Sequence, residues 1–338
     1  MTRPISRKQF LVGAGAAAGA LAAPAIATAA KSYTIKFGID LPPSHPTTKH
    51  AMAAAKMIHT STKGAVRMQV FPSSELGNDT HMLSEVRSGA IQMMGIGDNI
   101  LATLVSACAI DNVGFAFKDA QTAYSALDGD VGDVVRGDIA KAGLHAMPRI
   151  WDEGFREITT STKPIHTPDD LKGFKIRVPP SPISLSLFKD LGAAPATINV
   201  AELYTALQTG VVDGQENPLG IIETQKFYQV QKFCSLTNHM WVGYWIIGNG
   251  DYFKRLPDEY RKAVEQAFDA QAPKQRAANE KLNNSLQSKL TRQGLTFNDP
   301  KTGPFRQKLV NSGFYTEWQK KFGDQLWSAL EKYTGKLG

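Results

Sequence analysis

Cysteine is almost absent: Cys108 and Cys234 are the only two in 338 residues. Neither belongs to a C-x-x-C pair, which excludes a dithiol redox motif and a cysteine-rich zinc site. The seven histidines are scattered, with no H-x-x-x-H or H-E-x-x-H spacing and no carboxylates clustered beside them. No metal-ligand set is therefore legible. The chain lacks the G-x-S-x-G turn of a serine hydrolase and the G-x-x-x-x-G-K-[ST] phosphate loop. It has no run of Lys and Arg interleaved with aromatics, so nucleic acid is not an expected partner. Beyond the first thirty residues no stretch reaches the roughly 18 apolar residues that a spanning helix needs.

What is present starts with an export signal over residues 1–30. Arg3, Arg7 and Lys8 open the chain without an acid, a short apolar run rich in Ala and Gly follows, and Ala27-Thr28-Ala29 is a small-x-small cleavage site. Ser6-Arg7-Lys8-Gln9-Phe10-Leu11 is like a twin-arginine signal with Arg-Lys in place of Arg-Arg, so that route and the ordinary secretory one both fit. Either leads to the periplasm. Loss of the signal lowers the formal charge from +7 by three, to a mildly basic +4. Gly13-x-Gly15-x-x-x-Gly19 fits a relaxed dinucleotide fingerprint, but it follows no strand and lies inside the signal. No cofactor is assigned. An oxidising compartment permits a disulfide, yet nothing in the sequence brings Cys108 to Cys234, and two buried free thiols are expected.

The rest of the chain orders itself by alternation and by its breakers. Strands are expected over 33–39, 66–71 and 91–96, with helices over 47–62 and 79–88 and Gly89 at the left-handed position that ends the second. This is β-α-β-α-β, the signature of a parallel sheet with crossover helices. Helix over 119–142 leads to a strand over 144–151 and another over 157–160. A second unit runs from Ile165 to Pro218. In it Thr167-Pro168 starts a helical turn, Lys175-Ile176-Arg177-Val178 is a strand stopped by Pro179, and helix follows over 181–191. Asn199 is expected to cap a helix ending at Gly210, with Glu202 as its capping-box partner, and a last strand ends at Asn217. Further on come helix over 218–228 and strand over 240–247. Helix then runs from Pro257 almost to Gly294, kinked or broken at Ala272-Pro273, and two helices over 304–311 and 315–333 close the chain.

Ligands of open α/β sheets sit at the carboxyl ends of strands, and Arg177, Asn217 and Asp98 fall at or just past such ends. Arg177 is the sharpest signal. Strand alternation sends it opposite to Ile176 and Val178, so these can pack while the guanidinium enters a cleft. Its fork matches a carboxylate bidentately. His45 lies in a Pro-rich loop and is either a cleft-lining or a surface residue. Asp213 and Glu216 are three apart, but a catalytic acid-base pair would need a third partner, and turn or hydrogen-bonding roles fit them better. An exported hydrolase or lyase using these acids with a histidine is the alternative from another class.

The residues that carry a family likeness run in fixed order. They are D-L-K-G-F-K-I-R-V-P over 170–179, L-G-A-A-P over 191–195 and E-L-Y-T-A-L-Q-T-G-V-V-D-G-Q-E-N-P over 202–218. Lys226-Phe227-Tyr228, Thr237-Asn238-His239, Pro72-Ser73-Ser74-Glu75-Leu76-Gly77 and Gly154-Phe155-Arg156 extend it over nearly the whole mature chain. The chain resembles the solute-binding proteins of tripartite ATP-independent periplasmic (TRAP) transporters.

That resemblance implies an α/β, two-lobed fold of the periplasmic-binding-protein kind, with a ligand cleft between the lobes and a long helix spanning them. Lobe I is expected over 31–153 plus about 243–282, and lobe II over 154–242 plus about 283–338. It implies a sodium-coupled membrane permease as partner; a receptor serving a sensor kinase or a different permease is a separate alternative. The receptor is expected to be a monomer and not an enzyme. Arg177 would form the carboxylate salt bridge, with Asn217 and Arg156 assisting. Asp98 and the 240–244 strand would line the opposite side. Trp151, Trp241 and Tyr244 would make the pocket aromatic. The sialic-acid branch has polar residues where this chain has Gly97 and Val242, which argues against that ligand. The signature of the metal-assisted variant is absent. The expected ligand is a small organic-acid anion, an aromatic or 2-oxo acid first and a sugar acid next.

Overall fold

The computed structural model describes residues 32–338, so the export signal read over 1–30 lies outside the described residues. No helix among them is long and apolar enough to cross a membrane. Two six-stranded sheets form the frame of a two-lobed α/β fold. The first places its strands in the order Val66–Phe71, Tyr33–Gly38, Met93–Gly97, Trp241–Asn249 and Leu144–Ala146, with Trp151–Phe155 also paired to Trp241–Asn249. Its first three strands are parallel, joined by the helices Pro46–Ser61 and Asp79–Ser88. Burial explains their composition: Ile35, Phe37, Met93, Met94 and Ile96 are fully enclosed.

The second sheet runs Thr296–Asn298, Phe233–Ser235, Glu157–Thr160, Gly214–Asn217, Lys175–Val178 and Ala194–Thr197. The parallel pairing of Lys175–Val178 with Gly214–Asn217 sets Arg177 opposite Gln215. Between the strand Trp151–Phe155 of one sheet and Glu157–Thr160 of the other stands a single residue, Arg156. The chain returns at 236–240 and enters the first sheet through Trp241–Asn249. Each of the two hydrophobic cores draws on both sheets: one joins Ile96 with Ile176, the other Phe37 with Cys234. Both cysteines are buried and free.

Several expected boundaries hold, among them Val66–Phe71, Asp79–Ser88, Glu157–Thr160 and Lys175–Val178. Others shift. The strand expected over 144–151 splits into Leu144–Ala146 and Trp151–Phe155, each paired with a different part of Trp241–Asn249. The helix Asp258–Arg292 is continuous over 35 residues with Pro273 inside it, not broken there. Two residues beyond the proline, Gln275 holds the Asp152 backbone from both sides, at 2.9 and 2.7 Å, and bonds Thr47 at 3.0 Å. Tertiary bonds of this kind offset the lost backbone bond. The final helix divides into Phe314–Phe322 and Asp324–Thr334 at Gly323, whose φ of 80° favours glycine. Asp324–Thr334 lies against Ala120–Asp128 and Asp130–Lys141, and Tyr333 donates to Asp130 at 2.8 Å.

Candidate functional site: a buried arginine cluster between the sheets

Ile176 and Val178 are fully buried in the core, and Arg177 between them is 1% exposed. Its Nε donates to the Ile198 carbonyl at 2.7 Å, while Nη1 has no partner. Burial, with Arg156 adding repulsion, pushes the guanidinium down to about 10, so it remains a cation at neutral pH. A buried cation with an unmet donor is costly unless something completes it.

Asn217 is turned toward the same place by a relay. Its Nδ2 donates to Gln215 Oε1 at 2.5 Å, and Gln215 Nε2 donates to Thr159 Oγ1 at 2.7 Å. Asn217 Oδ1 accepts from Arg156 Nη2 at 2.9 Å. Arg156 is held on every side. Its Nε and Nη2 bond the Glu216 carboxylate, Nη2 also donates to the Glu216 carbonyl at 2.8 Å, and Nη1 donates to Glu153 Oε2 at 2.8 Å. His239 Nε2 lies 3.2 Å from Glu216, and its Nδ1 lies 2.8 Å from Thr237 Oγ1. Burial alone would raise the Glu216 carboxyl, but Arg156 and His239 outweigh it and hold it at about 2. Glu216 is thus a fixed anion that orients Arg156.

The first sheet supplies the opposite wall. Asp40, just past the strand Tyr33–Gly38, accepts from Tyr244 Oη. Asp79 opens the helix Asp79–Ser88, is 1% exposed, and has neither carboxylate oxygen hydrogen-bonded. Burial raises both carboxyls, opposed by the charge of Arg177. Asp79 and Arg177 feel each other's charge without forming a salt bridge, and each keeps an unmet polar atom. Above them Asn78 Nδ2 donates to Glu202 Oε1 at 3.0 Å, and Asn199 Nδ2 to Thr80 Oγ1 at 3.4 Å. The expected capping box is therefore replaced: Asn199 makes no side-chain cap and Glu202 reaches the other lobe.

The remaining candidates fall around this cluster. Tyr244 is part of it through Asp40. Asp98 accepts from Asn112 at 2.8 Å and from the Gly243 amide at 2.5 Å, and burial beside Asp111 raises it well above the usual range. Trp241 donates Nε1 to Asp152 at 3.0 Å and is packed edge-on by Phe117 and Tyr124. Trp151 is fully buried and packs on Phe268 at 5.8 Å. His45 caps the helix Pro46–Ser61, accepting from the Thr47 amide at 3.2 Å, and its buried Nε2 is unpartnered. Burial, aided by Lys49, lowers it to about 3, so it is neutral. An open groove of about 450 Å³ lies between Pro46–Ser61 and Asp258–Arg292 and includes none of the cluster. No group of three or more His, Cys, Asp or Glu among the described residues is arranged to hold a metal.

Sequence reasoning passed over Asp40, Asp79 and Glu153. Asp40 carried a signal, since it too follows a strand's carboxyl end. Asp79 sits in the first turn of a helix, where the dipole favours an acid, so nothing in its sequence context singles it out.

Two sheets, a crossing strand pair and an enclosed cation-acid cluster between them define a two-lobed solute receptor. Residues 37–319 match DctP, the bacterial extracellular solute-binding protein family 7, and the chain belongs to that family. Its members are periplasmic solute-binding proteins of TRAP transporters, which work with membrane permease subunits and are not enzymes. The chain is 36% identical to the 2,3-diketo-L-gulonate-binding periplasmic protein of Escherichia coli, over 69% of this chain and 71% of that one. It is 34% identical to the C4-dicarboxylate-binding periplasmic protein of Rhodobacter capsulatus, over 76% of each. The sugar acid binding protein of Advenella mimigardefordensis, solved in complex with galactonate, superposes with a TM-score of 0.86 at 28% identity, covering 91% of this chain and 99% of that one.

Proposed function

We propose that the chain is a monomeric periplasmic receptor that captures a hydroxylated organic acid, of the sugar-acid class, and delivers it to a TRAP permease. The observation that carries this reading is a pair of buried, unmet groups that feel each other's charge without forming a salt bridge: Arg177 Nη1 and the Asp79 carboxyl. A ligand with an anionic head and hydroxyl groups completes both. Arg177 takes the carboxylate with Asn217 and Arg156 beside it, and Asp79 and Asp40 accept from hydroxyls. Tyr244 fixes Asp40.

The preference for an aromatic acid gives way in this reading, while a 2-oxo acid that also carries hydroxyls stays within it. Trp151 and Trp241 have aromatic neighbours within the protein, and three buried carboxyl groups offer acceptors that a bare ring cannot use. Asp98, Trp151, Trp241 and His45 act here as framework. Solved relatives with bound galactonate, D-erythronate and β-D-glucuronate support the class, while another with succinate marks the breadth of the family.

A thermal-shift panel tests it. A ligand at a hundred times its Kd adds about 2.7 kcal/mol to stability. Aldonates or uronates should raise Tm most. A panel in which only aromatic acids raise it would contradict the reading.

A further inference from the structure

Glu153 is used by the protein on one side only. It lies on the crossing strand Trp151–Phe155, and its Oε2 accepts from Arg156 Nη1 at 2.8 Å. Oε1 has no hydrogen-bond partner among the described residues. It stands 3.7 Å from where a Cβ on Gly97 would sit, at the end of the strand Met93–Gly97, and Asn99 Oδ1 shares that corner at 2.8 Å from the same point. The same guanidinium that holds Glu153 by Nη1 holds Asn217 by Nη2 at 2.9 Å. Glu153 is therefore one guanidinium's width from the carboxylate clamp, on the first-sheet side, and near enough to interact with Arg177, Asp79 and Tyr244 whenever it ionises.

We propose that Glu153 is a specificity-determining residue, whose Oε1, with the unpartnered Asn99 amide beside it at the Gly97 corner, reads the hydroxyl-bearing far end of a long-chain hydroxy acid. This rests on the sugar-acid reading above. A six-carbon acid anchored at Arg177 extends past the clamp and presents hydroxyls to Oε1, whereas a four-carbon acid ends short of it. Gly97 has no room for a side chain, because any Cβ there would meet Asn99 Oδ1 at 2.8 Å, so the corner is left to Asn99 and Glu153.

The carboxyl also has the right protonation for the task. Burial raises it to about 8 against the pull of Arg156, with Asp40, Asp98 and Glu216 adding repulsion. At neutral pH it is an acid that both donates and accepts, and it adds no negative charge beside an anionic ligand.

The experiment compares D-galactonate with D-erythronate by calorimetry on the wild type, Glu153→Ala and Glu153→Gln, with circular dichroism to confirm folding. Glu153→Ala should weaken galactonate by about 10- to 100-fold, the loss expected for one buried hydrogen bond, and erythronate by less than about threefold. Glu153→Gln keeps a donor and an acceptor and should stay within about fivefold of the wild type for galactonate at pH 7. Wild-type affinity for galactonate should fall above about pH 8, and that of Glu153→Gln should not. Equal losses for both acids in Glu153→Ala would mean that Glu153 only positions Arg156, and would overturn the assignment. A wild type that binds neither acid would overturn the sugar-acid reading beneath it.

Discussion

Asn78 and Glu202 join the two lobes by a hydrogen bond of 3.0 Å across 124 positions of sequence. Their neighbours Thr80 and Asn199 make a second, longer one. Both bonds lie at helix starts, one residue from Asp79 on the first side and at the cap of the helix Val200–Gln208 on the second. They tie the start of the helix that carries Asp79 to the start of a helix of the second lobe. In a receptor of the proposed kind the ligand leaves through an open state, so bonds between the lobes would set the escape rate.

Removing these bonds should therefore act on dissociation. Glu202→Ala is expected to raise the ligand off-rate by about three- to tenfold, matching roughly 0.5–1.5 kcal/mol for one hydrogen bond, with the on-rate nearly unchanged. Stopped-flow fluorescence from the buried tryptophans would measure both rates. An effect confined to the on-rate would contradict this role.

The Arg156–Glu216 pair makes a stability prediction. Both side chains are buried, and Glu216 is also bonded by His239. Glu216→Ala strips the arginine of its main counter-ion in a place water does not reach. Loss of one partner from a buried pair costs about 3–5 kcal/mol. Denaturant unfolding should show a drop of that size, well beyond the change for an exposed pair such as Lys254–Asp251. Loss of under about 1 kcal/mol would show that the pair is not the anchor described.

His45 gives a pH dependence with a definite sign. Its folded-state value, lowered to about 3 by burial, lies below its ordinary value near 6.5. The unfolded chain therefore binds a proton that the folded chain refuses, and stability is lost as pH falls from about 6.5 toward 3, by up to about 1.4 kcal/mol per pH unit. Asn in its place keeps an oxygen for the Thr47 amide. His45→Asn should flatten the decline of Tm with acid over that window. A parallel decline in both proteins would place the titration elsewhere.

How far the sequence reached follows from what each residue had to satisfy. Lys175–Val178 and Asp79–Ser88 were legible to the residue because local signals and tertiary packing agree: Pro179 stops one, and Gly89, with φ of 86°, ends the other. The crossing strand Trp151–Phe155 was not, because Asp152, Glu153 and Gly154, the last with φ of 121°, look like a loop until antiparallel pairing to Trp241–Tyr244 supplies their partners. Ala194–Thr197, Phe233–Ser235 and Thr296–Asn298 are too short for a period to show. Asn199 and Glu202 misled for the opposite reason. Their spacing is that of a cap, and the other lobe outcompetes the helix for both side chains. Arg177, Asn217 and Arg156 stood out by their motif, and the fold brings them together in one buried cluster. The acids facing them were not, since Asp40, Asp79 and Glu153 meet only when two distant sheets do.

The most direct test of the central claim is calorimetry of D-galactonate, or of whichever sugar acid raises Tm most, against the wild type and Arg177→Ala. The account predicts a loss of about 2–5 kcal/mol in binding free energy, the range for removing one partner of a buried charge pair, with the ligand-free protein still folded. Affinity unchanged in Arg177→Ala would contradict it.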